Sequence, residues 1–362
     1  MGSATQFHSK PEVSDERQTF YAKLAAKNSK PLWEVLASLV TPAPRDRTQL
    51  TVWHYDDMRP LIAEGARLIT PEEAERRVLI LENPGLEGSS QITQTLYAGL
   101  QMLAPHEVVP SHRHVASALR YVMEGEGAYT TVNGERTMMR PGDFILTPSW
   151  EWHDHGNAGD GDVVWLDGLD IPIANFFCTS FAEHHPQTTQ PVIHNSGDAL
   201  HRFAMGLLPL EFKRESMSAP VFVYPFERSR TALEHLSRSG EGNAWHGVKM
   251  QYANPVTGGS PMPTISAFLQ MLPAGFQGRG YRSTDATVFC ARSGSGRSFV
   301  DDVELNWAQN DVFVVPSWRV VRHEADEPSI LFSFSDRAAQ KALGLWREEY
   351  LEVGPEDGPA KA

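Results

Sequence analysis

The strongest constraint on the fold is an internal duplication. The run Leu100-Gln101-Met102-Leu103 recurs as Leu269-Gln270-Met271-Leu272, 169 positions later in a chain of 362 residues. Gly125-Glu126-Gly127 meets Gly294-Ser295-Gly296 at the same offset. Thr147-Pro148-Ser149-Trp150 meets Val315-Pro316-Ser317-Trp318 at an offset of 168. Three ordered matches at nearly constant spacing read as two copies of one folding unit. The first copy is built from short apolar or alternating runs, Thr95–Leu103, Leu119–Met123, Ala128–Val132, Phe144–Thr147 and Val163–Leu169. Turn pairs such as Asn133-Gly134 and Pro141-Gly142 separate them. Asn-Gly between alternating runs signals a hairpin, because both turn residues must accept positive φ. The pattern predicts a mainly β chain with two antiparallel barrels, at residues 90–183 and 260–336.

The remaining segments read differently. Residues 1–89 form a helical arm and connection: Phe20, Leu24 and Ala25 share one side of a helix after Asp15, and Leu32–Val40 follows Pro31 as a second. Thr41–Thr48, with two prolines and three charges, reads as a surface connection. Residues 184–259 are mixed, with a helix near Thr231–Leu236, and 337–362 hold a closing helix, Arg337–Tyr350, and a Gly/Pro/Lys-rich tail expected to fray.

Composition excludes several classes. With 41% apolar and 21% charged residues the chain is an ordinary globular one. A net charge of −13 argues against a nucleic-acid or anionic-membrane surface. No apolar stretch approaches the roughly 20 residues of a membrane span, and the first thirty residues lack the apolar middle of a signal peptide. Two cysteines exclude a disulfide framework or a cysteine-based metal site; Cys178 and Cys290, in apolar runs, read as buried thiols. A reducing cytoplasm is the expected compartment.

What stands out is 14 histidines, several closely grouped. On a strand, residues i and i+2 project from one face, so His112 and His114 can aim both imidazoles at one point. His153, 39 residues beyond His114, can arrive from a neighbouring strand and complete a facial set of three that leaves open positions. His184-His185 reads as loop, and His54, His106, His194, His201, His235 and His246 as structural or exposed.

His112-x-His114, the Gly125-x-Gly127 turn, Pro141-Gly142-Asp143, and His153 with Asn157 resemble the two metal-binding motifs of the cupin superfamily. With the duplication, the resemblance implies a bicupin: two double-stranded β-helix (jelly-roll) barrels. Cupins commonly place a glutamate ligand beyond the HxH pair with three or four residues between, where Ala118 and Leu119 stand here. Three neutral imidazoles would then leave a divalent iron its full charge, favouring an anionic, chelating hydroxy-acid.

Over most of the chain, runs such as Leu96-Tyr97-Ala98-Gly99-Leu100-Gln101, Trp150-Glu151-Trp152-His153-Asp154-His155-Gly156-Asn157 and Leu166-Asp167-Gly168-Leu169-Asp170 resemble the gentisate 1,2-dioxygenase family. That family includes related salicylate and 1-hydroxy-2-naphthoate enzymes. The resemblance implies one Fe(II) per chain on His112, His114 and His153, a homotetramer, and cleavage of gentisate beside its carboxyl group to give maleylpyruvate with dioxygen. Arg120 matches the substrate-carboxylate arginine, and a planar charged fork suits that task. His155 would hydrogen-bond substrate oxygens and relay protons. Asp167 would orient either His155 or Arg120. Tyr97, Gly99 and Gln101 share one strand face, Gly99 leaving space where a ring or oxygen approaches. Arg76 matches a pocket-lining position, though Arg77 beside it can serve instead.

In the second copy His112 becomes Tyr281, His114 becomes Ser283 and His153 becomes Val321, while His323 stands opposite His155. That barrel is expected to be metal-free and structural. Salicylates or 1-hydroxy-2-naphthoate remain alternative substrates, manganese, nickel or zinc alternative metals, and a structural or ligand-binding bicupin the non-enzymatic alternative.

Overall fold

The computed structural model describes residues 14–352, so the tail expected to fray lies outside the described residues. The chain divides into two compact units between Arg45 and Asp46. In the first, α1 (Asp15–Ala25) starts where the Ser14 hydroxyl accepts from the Arg17 amide at 3.3 Å, and α2 (Leu32–Leu39) follows Pro31. The Tyr21 hydroxyl joins them: it accepts from Trp33 Nε1 at 2.9 Å and donates to Glu34 at 2.7 Å.

The second unit is mostly strand. Its first twelve strands are β1 (Thr51–Trp53), β2 (Val78–Ile80), β3 (Tyr97–Leu103), β4 (Val108–His114), β5 (Ala118–Glu124), β6 (Ala128–Val132), β7 (Glu135–Met138), β8 (Phe144–Thr147), β9 (His153–Asn157), β10 (Val163–Leu169), β11 (Ala182–His184) and β12 (Val223–Tyr224). Ten more follow: β13 (Val248–Gln251), β14 (Ser266–Leu272), β15 (Tyr281–Ser283), β16 (Thr287–Ser293), β17 (Gly296–Val300), β18 (Val303–Trp307), β19 (Val312–Val315), β20 (Val321–Ala325), β21 (Ser329–Ser335) and β22 (Glu348–Tyr350). The first half sets a six-stranded sheet, β12-β8-β5-β10-β3-β2, against a five-stranded one, β11-β4-β9-β6-β7. The second half repeats this with β1-β19-β16-β21-β14-β13 and β18-β17-β20-β15-β22. The two halves thus form a bicupin of jelly-roll type, though the edge strands come from distant segments: β1 joins the second half and β12 the first.

Strand alternation sorts the side chains. On β5, Leu119, Tyr121 and Met123 face a core shared by both halves, while Val122 faces the core inside the first half. The Tyr121 ring stacks on Phe332 across the shared core at 4.0 Å. Gly168 is needed there, because a Cβ would lie 2.7 Å from the Phe334 ring. The Asn133-Gly134 hairpin forms with φ of 48° and 77° at its two turn residues, joining Val132 to Glu135. The helix expected near Thr231–Leu236 is longer, Phe226–Arg238.

Three expectations need correction. The closing helix stops at Ala342, because Gly344 turns left-handed (φ 73°), and Glu348–Tyr350 then pairs as β22 with β15. Cys178 is exposed in a left-handed turn (φ 56°) after the helix Ile171–Phe176; Cys290 is buried on β16. His184 ends β11, its partner across the pair being His112, rather than lying in a loop.

Candidate metal centre

The site grows from strand geometry. His112 and His114 project from one face of β4, and β9 pairs alongside so that His153 stands directly opposite His112. One nitrogen from each of the three imidazoles lies within 4.8 Å of the other two. No carboxylate joins this set among the described residues; Ala118 is fully buried at the place where cupins carry a glutamate.

Each ring is held from behind by a backbone carbonyl two residues away. His112 Nδ1 donates to Pro110 O at 2.8 Å, His114 Nδ1 to Ala116 O at 2.7 Å and His153 Nδ1 to Glu151 O at 2.8 Å. A carbonyl only accepts, so each proton sits on Nδ1 and each Nε2 presents a lone pair. Burial, reinforced by neighbouring positive charge, lowers His112 to about 2 and His114 to about 4 and pushes His153 well below the ordinary range. The set is therefore neutral at pH 7, as metal ligation requires. His153 Nε2 is buried and has no hydrogen-bond partner. These donors fit a divalent transition metal.

The other expected residues lie around this set. Arg120 is 4% exposed; its Nη1 donates to the Thr147 hydroxyl at 2.7 Å, and its Nε lies 3.5 Å from Asp167 without forming a hydrogen bond. Asp167 stands opposite Arg120 on one side and Gly99 on the other, and Trp165 Nε1 holds it at 3.0 Å. The structure thus pairs Asp167 with Arg120. Burial pushes the Asp167 carboxyl up and the Arg120 guanidinium down, each charge opposing the other's shift. His155 is 1% exposed, and neither ring nitrogen has a partner. Gln101 is buried with an unpartnered Nε2, and the Tyr97 hydroxyl is raised by burial.

Arg76 and Arg77 separate clearly. Arg77 donates to Glu107 and to Ala66 O, a structural role, while the Arg76 charge is felt by His112, His114, His155 and Arg120. The space expected beside Gly99 is filled by its own neighbours: a Cβ there would lie 2.5 Å from Val78 Cγ1 and 3.0 Å from the Tyr97 hydroxyl. Thr147 and Trp165 escaped the sequence reading. Their signal was their alternation: each sits on a face shared with an already selected neighbour, Trp165 two residues before Asp167 and Thr147 opposite the position two before Arg120.

Comparison with known proteins places this geometry. Residues 99–169 match the cupin domain family. Gentisate 1,2-dioxygenase 1 of Aquipseudomonas alcaligenes is 50% identical over 342 residues, covering 94% of this chain and 99% of that protein. The 5-aminosalicylate 1,2-dioxygenase of a Comamonas species is 34% identical over 340 residues, 92% of this chain and 90% of the relative. The crystal structure of salicylate 1,2-dioxygenase from Pseudoaminobacter salicylatoxidans with gentisate is similar at a TM-score of 0.88 and 32% identity, covering 95% of this chain and 96% of that one. With its buried triad of neutral imidazoles in a bicupin, this chain belongs to the gentisate 1,2-dioxygenase family of ring-cleaving dioxygenases.

Proposed function

We propose that the enzyme is an Fe(II)-dependent gentisate 1,2-dioxygenase, with one iron per chain, opening the ring between the carboxyl- and hydroxyl-bearing carbons to give maleylpyruvate. The observation that carries this reading is the triad of neutral Nε2 donors beside a buried arginine whose Nε has no hydrogen-bond partner. Its 50% identity to a gentisate 1,2-dioxygenase supports the substrate. His112, His114 and His153 would hold the iron, which when bound supplies the redox chemistry joining dioxygen to the ring.

The chain's own side chains do the rest. Arg120 takes the substrate carboxylate; Thr147 and Asp167 fix its plane, and Trp165 fixes Asp167. Arg76 adds positive charge that draws the anionic substrate inward. His155, neutral with two free nitrogens, can accept a hydroxyl proton on one and donate from the other. Burial removes water that would weaken these contacts.

Salicylate or a substituted salicylate is the second reading, favoured by the two relatives bearing those names. Oxygen uptake by iron-loaded protein with gentisate, salicylate and 1-hydroxy-2-naphthoate side by side, with ultraviolet absorbance of the ring-opened product, tests the proposal. Turnover fastest on gentisate is expected, and faster turnover of either other acid would replace the substrate assignment. A homotetramer in the cytoplasm is part of the same reading. Exposed Phe176, Phe177 and Phe181 support self-association, and the exposed unpaired thiol of Cys178 suits a reducing compartment.

A further inference from the structure

Inside the second half lies a small cavity of about 20 Å³, bordered by His246, Lys249, Tyr281, Phe289, His323 and Arg337. Lys249 stands opposite Gln270 on β14, the register place that Val78 takes opposite Gln101 in the first half. Its ammonium lies 5.0 Å from the centre of the Phe268 ring and 5.7 Å from that of Phe289. Among the described residues it makes no hydrogen bond and no ion pair; ring faces are its only partners. The two acids whose charges reach it are already engaged. Asp285 accepts from Arg337 Nε at 3.1 Å and Trp346 Nε1 at 2.9 Å, and Glu348 accepts from the Tyr281 hydroxyl at 2.8 Å.

Two imidazoles border the same space. The Ser298 hydroxyl accepts from Trp307 Nε1 at 3.0 Å and can donate to His323 Nδ1 at 2.8 Å, which puts the His323 proton on Nε2. The His246 ring makes no hydrogen bond among the described residues and meets the Tyr281 ring edge-on at 4.6 Å. Burial lowers both, to about 2 for His246 and about 3 for His323, so they are neutral N–H donors rather than competing cations. Burial also lowers Lys249 to about 7, the mark of an ammonium that lacks a counter-ion. A buried cation without an anion is costly, and aromatic faces offset only part of that cost.

We infer that the second barrel binds one small monovalent inorganic anion, of chloride size, at Lys249 Nζ, with His246 and His323 as flanking donors. The cavity admits one or two water-sized groups and is too small for an aromatic acid. The first barrel would then bind a cation and its twin an anion, in pockets built on equivalent strands.

The test uses the iron-loaded full-length enzyme and bromide as the probe, because bromide is located by anomalous diffraction. Crystals soaked in sodium bromide should show a peak against Lys249 Nζ, absent from Lys249→Met crystals. In solution, replacing gluconate by bromide at constant ionic strength should raise the wild-type Tm by about 2–4 °C and leave that of Lys249→Met unmoved. Turnover should be equal in both proteins. An empty wild-type pocket overturns the inference, as does a peak that persists in Lys249→Met, or a peak without any Tm response (binding at crystal concentration only). If Lys249→Met does not fold, Lys249→Arg, which keeps the charge, should retain the Tm response, and its loss would count against the site.

Discussion

The interiors of the two barrels are lined by equivalent strands and differ in what their polar atoms do. Across equivalent registers, Arg120 becomes Phe289, Asp167 becomes Ser333, His112 becomes Tyr281 and His153 becomes Val321. The rim is unchanged. Trp150 (φ 65°) donates its amide to His114 O at 2.9 Å, and Trp318 (φ 62°) donates to Ser283 O at 2.7 Å. Inside, the first barrel leaves His153 Nε2, both His155 nitrogens, Arg120 Nε and Gln101 Nε2 unpartnered. The second locks its acid and base together as Asp285 and Arg337 and leaves Gln270 Oε1 and Ser333 Oγ among its few orphans. Each unpartnered buried polar group costs about 1–3 kcal/mol. Their concentration in the first barrel is what a site completed by a ligand requires, and the second barrel has fewer of them among the described residues.

The comparison is sharpest at the triad. His112→Ala or His153→Ala should lose the metal and at least about a thousandfold in turnover, while Tyr281→Phe or Val321→Ala, at the equivalent second-barrel places, should change turnover by less than about twofold. Elemental analysis with oxygen uptake checks this, and metal loss in a second-barrel variant would break the contrast.

Next comes the locked pair. Burial would raise Asp285, but the Arg337 charge together with hydrogen bonds from Ser335, Ser283 and Trp346 outweighs burial and holds the carboxyl at about 2. A depressed folded-state pKa means that stabilisation is present above the unfolded value near 3.8 and is lost as the pH falls toward 2. Asp285→Asn should lose about 3–5 kcal/mol at pH 7, and the gap from wild type in urea midpoints should narrow below pH 4. A pH-independent gap would show that Asp285 acts through packing alone.

Smaller effects probe the first barrel's arginine. Arg120→Ala should lower kcat/KM by about a hundredfold with the metal retained; if metal is lost and substrate affinity kept, Arg120 supports the triad instead. Thr147→Val, which removes only one hydrogen bond to Arg120, should cost about three- to tenfold, mostly in KM.

Much of this was legible in the chain itself where the signal was local. The repeat, the Asn133-Gly134 hairpin and the two-residue spacing of His112 and His114 each depend on neighbours in sequence, and alternation alone turned both rings to one side. The choice between Arg76 and Arg77 was invisible, because it rests on Glu107, thirty residues away. Gly99 misled for a related reason: the space at its Cα belongs to Val78, on a strand whose pairing no local pattern announces. Cys178 sits in an apolar run, yet a left-handed turn carries it to the surface.

The crossed edge strands have a consequence for any attempt to divide the molecule. Thr51–Trp53 hydrogen-bonds to β19 of the later half, and Val223–Tyr224 to β8 of the earlier one. A gene cut between β11 and β12 would strip a border from each fragment and leave raw ladder groups inviting intermolecular pairing. The two halves share seams that neither can sew alone.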